Sequence, residues 1–159
     1  MYQTHSNRPF DRQSYSENDG RAKDAIKTFL RQNNFYDIKD KEDFYFDVSA
    51  RRGESGRFLF EVEVKNQWGA EWNPSWSEVR IPGRKKRLLS LWQNSYSDHE
   101  LFFVVFNTDC SKAWLIDGET LGKSPVGRIQ NSTRAGSPHL KEPFYHVPIR
   151  NAKLLEIKA

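Results

Sequence analysis

Apolar and polar positions alternate from Phe58 to Gln67. Phe58, Phe60, Val62 and Val64 fall on one side, and Leu59, Glu61, Glu63, Lys65 and Gln67 on the other. This is the period of a β-strand with two unlike faces. Upstream, Phe44, Phe46, Val48 and Ala50 alternate with Asp43, Tyr45, Asp47 and Ser49, and the turn-rich RRGESG joins the two runs as a hairpin. Before the hairpin, Ala22, Ala25, Ile26, Phe29 and Leu30 follow the i, i+3, i+4 spacing of an amphipathic helix, with Asp19 as N-cap and Asn33-Asn34 as its stop. Residues 1–19 are polar and rich in Asn, Ser and Gln, which predicts a flexible arm ahead of a single domain over 20–159.

After Lys65 the pattern breaks into a loop carrying Trp68, Trp72 and Trp76 and closing at Pro82-Gly83. A helix is predicted from there, with Leu88, Leu89, Leu91 and Trp92 inward and the basic residues outward. HELFFVVFN and KAWLID predict a buried strand pair around the NTDCS turn. Residues 121–143 look like a mobile, turn-rich segment, and FYHVPI a last edge strand limited by Pro148. The resulting fold class is α/β, a central mixed β-sheet flanked by helices in the order α-β-β-β-α-β.

Composition permits a real core, since 36% of the 159 residues are hydrophobic and 14% aromatic. No apolar run approaches the roughly 18 residues of a membrane span, and the first residues lack the apolar stretch of a signal peptide. The expectation is a cytoplasmic protein with no membrane contact. A single cysteine, Cys110, allows neither an internal disulfide nor a thiolate zinc cluster. The net charge of +4 says little, but its distribution says more. Arg80, Arg84, Lys85, Lys86 and Arg87 form a basic run without an acid, whereas residues 37–47 are acid-rich. A basic patch beside an acidic pocket suits a phosphate backbone bound near a metal ion.

The polar side of the Phe58–Gln67 run carries the chemistry. The hairpin brings Asp47 onto the same face, opposite Glu61 or Glu63 depending on the turn register. Same-face neighbours about 7 Å apart repel by roughly 0.6 kcal/mol in water and about 2.4 kcal/mol at an effective dielectric of 20. A divalent cation would balance three carboxylates and one ammonium. Oxygen ligands without thiolate or nearby histidine favour Mg²⁺ or Mn²⁺ over zinc. Lys65, on the same face, can orient a water or neutralise a phosphate. The competing reading is a solvated hairpin laced with ion pairs worth about 0–1 kcal/mol each, with Glu61 either a second metal ligand or the partner of Arg57 or Arg51.

Asp47 followed by Glu63-Val64-Lys65, after a helix and before a basic helix, resembles the PD-(D/E)XK nuclease superfamily over roughly residues 20–107. That superfamily includes restriction endonucleases and Holliday-junction resolvases. The resemblance implies a restriction-endonuclease-like core in which Asp47 and Glu63 are Mg²⁺ ligands and Lys65 assists the water. It also implies Asp24 as the helix acid, with Glu17 its rival, and Gln67 as a polar residue just past the lysine. No proline precedes Asp47, where the chain has Phe46. The expected function is a metal-dependent nuclease acting on DNA, selective for junctions or branches, a role that suits a homodimer. The alternative is an inactive nuclease-fold module that binds nucleic acid or a protein partner. Arg84, Lys85, Lys86 and Arg87 are the expected phosphate contacts. Trp68, Trp72 and Trp76 read as loop packing before base stacking. His5, His99, His139 and His146 lack metal-ligand spacing.

Overall fold

The apolar stripe Ala22, Ile26 and Leu30 is fully buried along one side of helix α1 (Arg12–Gln32). The computed structural model describes residues 12–40, 45–54, 56–130 and 141–158. The helix stops as the sequence predicts. Asn34 takes a left-handed conformation at φ 68, and the amide of Phe35 returns to the Leu30 carbonyl at 3.0 Å. Its start differs, because α1 is already helical at Arg12, the first described residue, and Asp19 lies inside it, not at its cap. Residues 12–19 are therefore helical where an arm was expected; residues 1–11 lie outside the described part.

Strands β1 (Tyr36–Lys39), β2 (Val48–Arg51) and β3 (Phe58–Val64) form an antiparallel meander. The chain then leaves the sheet through β4 (Glu78–Pro82), a 3₁₀ turn (Gly83–Lys85) and helix α2 (Lys86–Ser95). It returns as β5 (Glu100–Phe106), parallel to β3, and continues as β6 (Lys112–Asp117), antiparallel to β5. Helix α3 (Gly118–Lys123), β7 (Val126–Gln130), β8 (Lys141–Pro148), a second 3₁₀ turn (Ile149–Asn151) and β9 (Lys153–Glu156) complete the chain.

Two sheets result where one was expected: a mixed six-stranded sheet in the order β1-β2-β3-β5-β6-β9, and a three-stranded antiparallel sheet in the order β4-β8-β7. The class is α/β with a mixed central sheet. β8 is the middle strand of the small sheet, not an edge. Pro148 is tolerated because it is the strand's last residue. The segment expected to be turn-rich contributes α3 and β7; its residues 131–140 lie outside the described part.

The central sheet is covered on both faces. On one face Val48, Ala50, Phe60, Val62, Val104 and Phe106 pack with the α1 stripe. On the other, Leu59, Leu101, Phe103 and Val105 pack with Val79 and Ile81 of β4, Tyr145 and Val147 of β8, and Leu88 and Leu89 of α2. Each large side chain fully buried in these layers contributes about 1.5–3 kcal/mol. Within the small sheet, β8 passes the turn that follows β4 so closely that a Cβ on Gly83 would stand 2.9 Å from the Cβ of Pro143. No side chain larger than hydrogen fits there. Among the described residues no helix is long and apolar enough to cross a membrane.

The short helix α3 depends on its cap. Asp117 accepts a hydrogen bond from the Thr120 amide at 2.7 Å and from its hydroxyl at 2.8 Å. Asp117→Ala is expected to lower unfolding free energy by about 1 kcal/mol in urea titration, with the m-value unchanged. A loss within error would show that α3 is held by Leu121 packing alone.

Candidate active site

The polar positions of β3 are not a solvent-facing surface. Leu59 is fully buried between the central sheet and the elements that cover it, and by strand alternation Glu61 and Glu63 share its face. Glu61 and Glu63 lie opposite Phe103 and Val105 of β5. The Glu61 side chain is only 12% exposed. Two carboxylates on a covered face need compensation, because burying an unpaired charge costs several kcal/mol.

Part of that compensation comes from Lys85, whose Nζ lies 2.8 Å from Glu61 Oε2. Burial alone would lower the Lys85 ammonium, but Glu61 outweighs it and holds the pKa above the ordinary lysine value. This corrects two expectations. Lys85 is turned inward and not out to a phosphate, and Glu61 pairs with neither Arg51 nor Arg57. The Arg57 guanidinium instead meets Asp37 at 2.6 Å. The reason is local geometry. Residues 83–85 form a 3₁₀ turn with three residues per turn, so an α-helical face read from Pro82 onward points Lys85 the wrong way. Arg84, Lys86 and Arg87 are exposed, as expected for the basic run.

Glu63 carries the less compensated charge. Burial raises its pKa, the fields of Lys85, Arg84 and Lys65 offset this only in part, and Glu61 adds to the rise. Lys65, just beyond β3, is held below the usual lysine range by burial and then by Arg80, against a smaller opposing pull from Glu63. Its Nζ rests 5.1 Å from the centre of the Trp76 ring, a cation–π contact.

Asp47 enters by a different route from the one the alternation predicts. Its strand begins only at Val48, and residues 41–44 lie outside the described part. Tyr45 takes a left-handed φ of 65, and Phe46 turns to the α2 side, where its ring meets Tyr96 edge-on at 6.4 Å. Phe46 and Val48 therefore do not share a face. The β2–β3 pairing ends at Val48 opposite Phe60, one residue short of Asp47, and of the two glutamates it is Glu61 whose charge acts on Asp47. The Asp47 carboxylate accepts the Val62 amide at 3.0 Å, so the side chain takes a ladder bond at the point where β2 has not yet begun. Burial first, and then the charge of Glu61, raise its pKa to about 7 against the opposing pull of the Val62 amide.

The helix acid near this site is Asp19, not Asp24. Asp24 is 80% exposed and lies 3.6 Å from Lys27, whereas Asp19 and Lys23 both act on Asp47 electrostatically. Asp19 and Lys23 also pair at 3.4 Å. One signal was present: Asp19 and Lys23 flank the buried Ala22 at helical spacing, legible once the helix is begun before residue 19. No side-chain position is described for Glu17. Gln67 is exposed past the end of β3.

The remaining acids of the 37–47 run that are described have structural partners. Asp37 holds Arg57, and Asp40 holds Lys27 at 2.7 Å. The Trp loop packs as expected, with Trp68 buried, Trp72 edge-on to it at 5.1 Å, and Trp114 of β6 stacked on Trp68 at 6.1 Å. Among the described residues no three acids, cysteines or histidines converge closely enough to form a metal cluster. Asp47 and Glu63 are nonetheless hard oxygen donors with raised pKa values, the condition of carboxylates short of positive charge. Mg²⁺ commonly takes only one or two protein carboxylates and keeps several waters, so the chemistry of either carboxylate suits it; Glu61 is the acid whose charge acts on both. No protein-family model matches the chain, and no curated protein matches it in sequence.

Proposed function

We propose that the protein is a Mg²⁺- or Mn²⁺-dependent nuclease that hydrolyses phosphodiester bonds in DNA on a restriction-endonuclease-like core. The observation that carries this reading is the placement of Glu61 and Glu63 on a covered sheet face, with Asp47 near enough to Glu61 for the two charges to interact and Lys65 beyond. A decorative ion-pair strand would keep these groups in water, where their charges cost little. The element order supports the core, since α1, β1, β2, β3, α2 and β5 follow the predicted α-β-β-β-α-β sequence once β4 is assigned to the small sheet.

Asp47 and Glu63 would hold the metal, which when bound would polarise the scissile phosphate and lower the pKa of a coordinated water. Lys65 has a weakened hold on its proton and an ammonium placed over the Trp76 ring, so it can orient the attacking water and exchange a proton with it. Arg84, Lys86 and Arg87, exposed on the turn and helix beside Glu63, would neutralise flanking phosphates. Apart from β7, the edge strand of the small sheet, every described strand and α-helix contributes side chains to one of the two cores, and no separate described unit is set apart for reading bases. This supports selectivity for DNA shape, such as a junction, and a homodimer would present two sites for two strands.

The second reading, a DNA-binding module without turnover, draws on the Lys85–Glu61 pair, which already neutralises one acid of the site. Incubation with labelled single-stranded, duplex, flap and four-way-junction DNA separates the two. Cleavage in Mg²⁺ or Mn²⁺ that stops in chelator is the expected result. Binding of the same substrates without cleavage in either metal would leave only the module.

A further inference from the structure

We propose that Arg80 forms a second phosphate-binding point beside Lys65, and that Glu78 on β4 and His146 on β8 hold its guanidinium in position. The inference rests on the DNA-binding part of the reading above and names a site which that reading does not contain.

Strand β4 is pinned beside the candidate site at both ends. Two residues before it, the Trp76 ring carries the Lys65 ammonium; just past it, Lys85 reaches Glu61. Val79 and Ile81 point into the core, so Arg80, between them, points outward and is half exposed. Trp76, Glu78 and Arg80 alternate with the inward Val79 and Ile81, so Arg80 shares the outward face with the ring that carries Lys65, and its charge acts on that ammonium.

Arg80 is held by one nitrogen only. Its Nε donates to Glu78 Oε2 at 3.0 Å, and the same oxygen is bonded to His146 Nδ1. Among the described residues the two terminal guanidinium nitrogens have no hydrogen-bond partner. A guanidinium fixed at Nε, with its fork free, is arranged to take two phosphate oxygens. His146 is itself fixed. It lies opposite Arg80 in the β4–β8 ladder, its amide donates to the Pro125 carbonyl at 2.8 Å, and its Nε2 would be 3.0 Å from a Cβ on Gly127. Glycine at 127 leaves the ring its room. Bonds from His146 and Arg80 outweigh the effect of burial on Glu78 and keep its pKa below the usual value, so it is an anion at neutral pH.

A carboxylate beside a phosphate track should repel DNA, and this makes the sign of one substitution decisive. If Glu78 is only a cross-strand ion-pair partner, Glu78→Gln removes a negative charge and tightens binding. If Glu78 positions Arg80, the same change weakens it.

The experiment is a fluorescence titration of a labelled short DNA duplex from about 50 to 200 mM salt, with Ca²⁺ replacing Mg²⁺ to suppress cleavage. Arg80→Ala is expected to weaken binding about 10-fold and flatten the slope of log affinity against log salt by about 0.9, while Arg80→Lys keeps the slope. Glu78→Gln and His146→Gln are each expected to weaken binding about 3-fold with the slope retained, because the cation remains but is less often in place. Glu119→Gln on α3, the same charge change away from β4, serves as control and should not weaken binding. Tighter binding by Glu78→Gln, an unchanged slope for Arg80→Ala, or equal weakening by the Glu119 control overturns the proposal. Failure of the unmodified protein to bind DNA at all overturns the nuclease reading with it, whereas binding that ignores Arg80 overturns this site alone.

Discussion

A Lys65→Met variant is expected to lose roughly 10²–10³-fold in cleavage rate while its Mn²⁺ affinity stays within about two-fold of the unmodified protein. Methionine keeps an unbranched side chain that can reach the Trp76 ring, so the loss reports the missing ammonium and not a collapsed loop. Asp47→Asn and Glu63→Gln should lose both cleavage and metal binding, since each removes a charged oxygen donor. Calorimetry with Mn²⁺ and a single-turnover cleavage assay read the two quantities separately. Turnover by the Lys65 variant at the unmodified rate would remove lysine from the mechanism and leave only the acids.

The second large effect is on stability. The pKa of Asp47 is about 7 in the folded chain against an ordinary value of 3.8, and that of Glu63 is also raised. A carboxyl raised in the folded state binds its proton more tightly there than in the unfolded chain. Its contribution is therefore full below about pH 4 and is lost as pH rises to about 7. For Asp47 the loss is on the order of 4 kcal/mol, equivalent to a fall in Tm on the order of 10 °C for a domain of this size. In chelator, Tm should drop between pH 5 and 8; Asp47→Asn should remove most of the drop, and saturating Mn²⁺ should restore about 2–3 kcal/mol at pH 8. A Tm that stays level or climbs over that range in chelator would show that the acids are better compensated than their surroundings indicate.

The elements legible in the sequence are those with enough residues to display a period. β3 shows seven alternating positions, β5 a run of apolar residues, and α1 a stripe from Ala22 to Leu30. β1 and β9 are four residues each, and β4 is five residues set among tryptophans, Pro82 and Gly83, too short to separate from loop by periodicity. Residues 12–19 carry no apolar stripe, so the first turns of α1 were hidden. The candidate site was legible as far as it depends on β3 and its hairpin. It was not legible where it depends on other elements: Lys85 turns inward through a 3₁₀ turn, Asp19 belongs to a helix longer than predicted, and Arg80 is brought to Lys65 by a strand read as loop. Tyr45 illustrates a different limit, since beside this one residue in the left-handed region Phe46 falls on the other face from Val48, and nothing in the Tyr45 side chain announces it.

Four of the five tryptophans, Trp68, Trp72, Trp76 and Trp114, form one cluster with neighbouring ring centres 5.0–6.1 Å apart, and Trp76 also carries the Lys65 ammonium. Rings this close share their excited states, so the near-ultraviolet emission and the exciton bands of the whole protein arise mainly from one region. That region borders the candidate site. Drawing Lys65 toward a phosphate lifts a positive charge off an indole face and alters the light the cluster emits, which makes the protein its own optical gauge of occupancy without any attached dye.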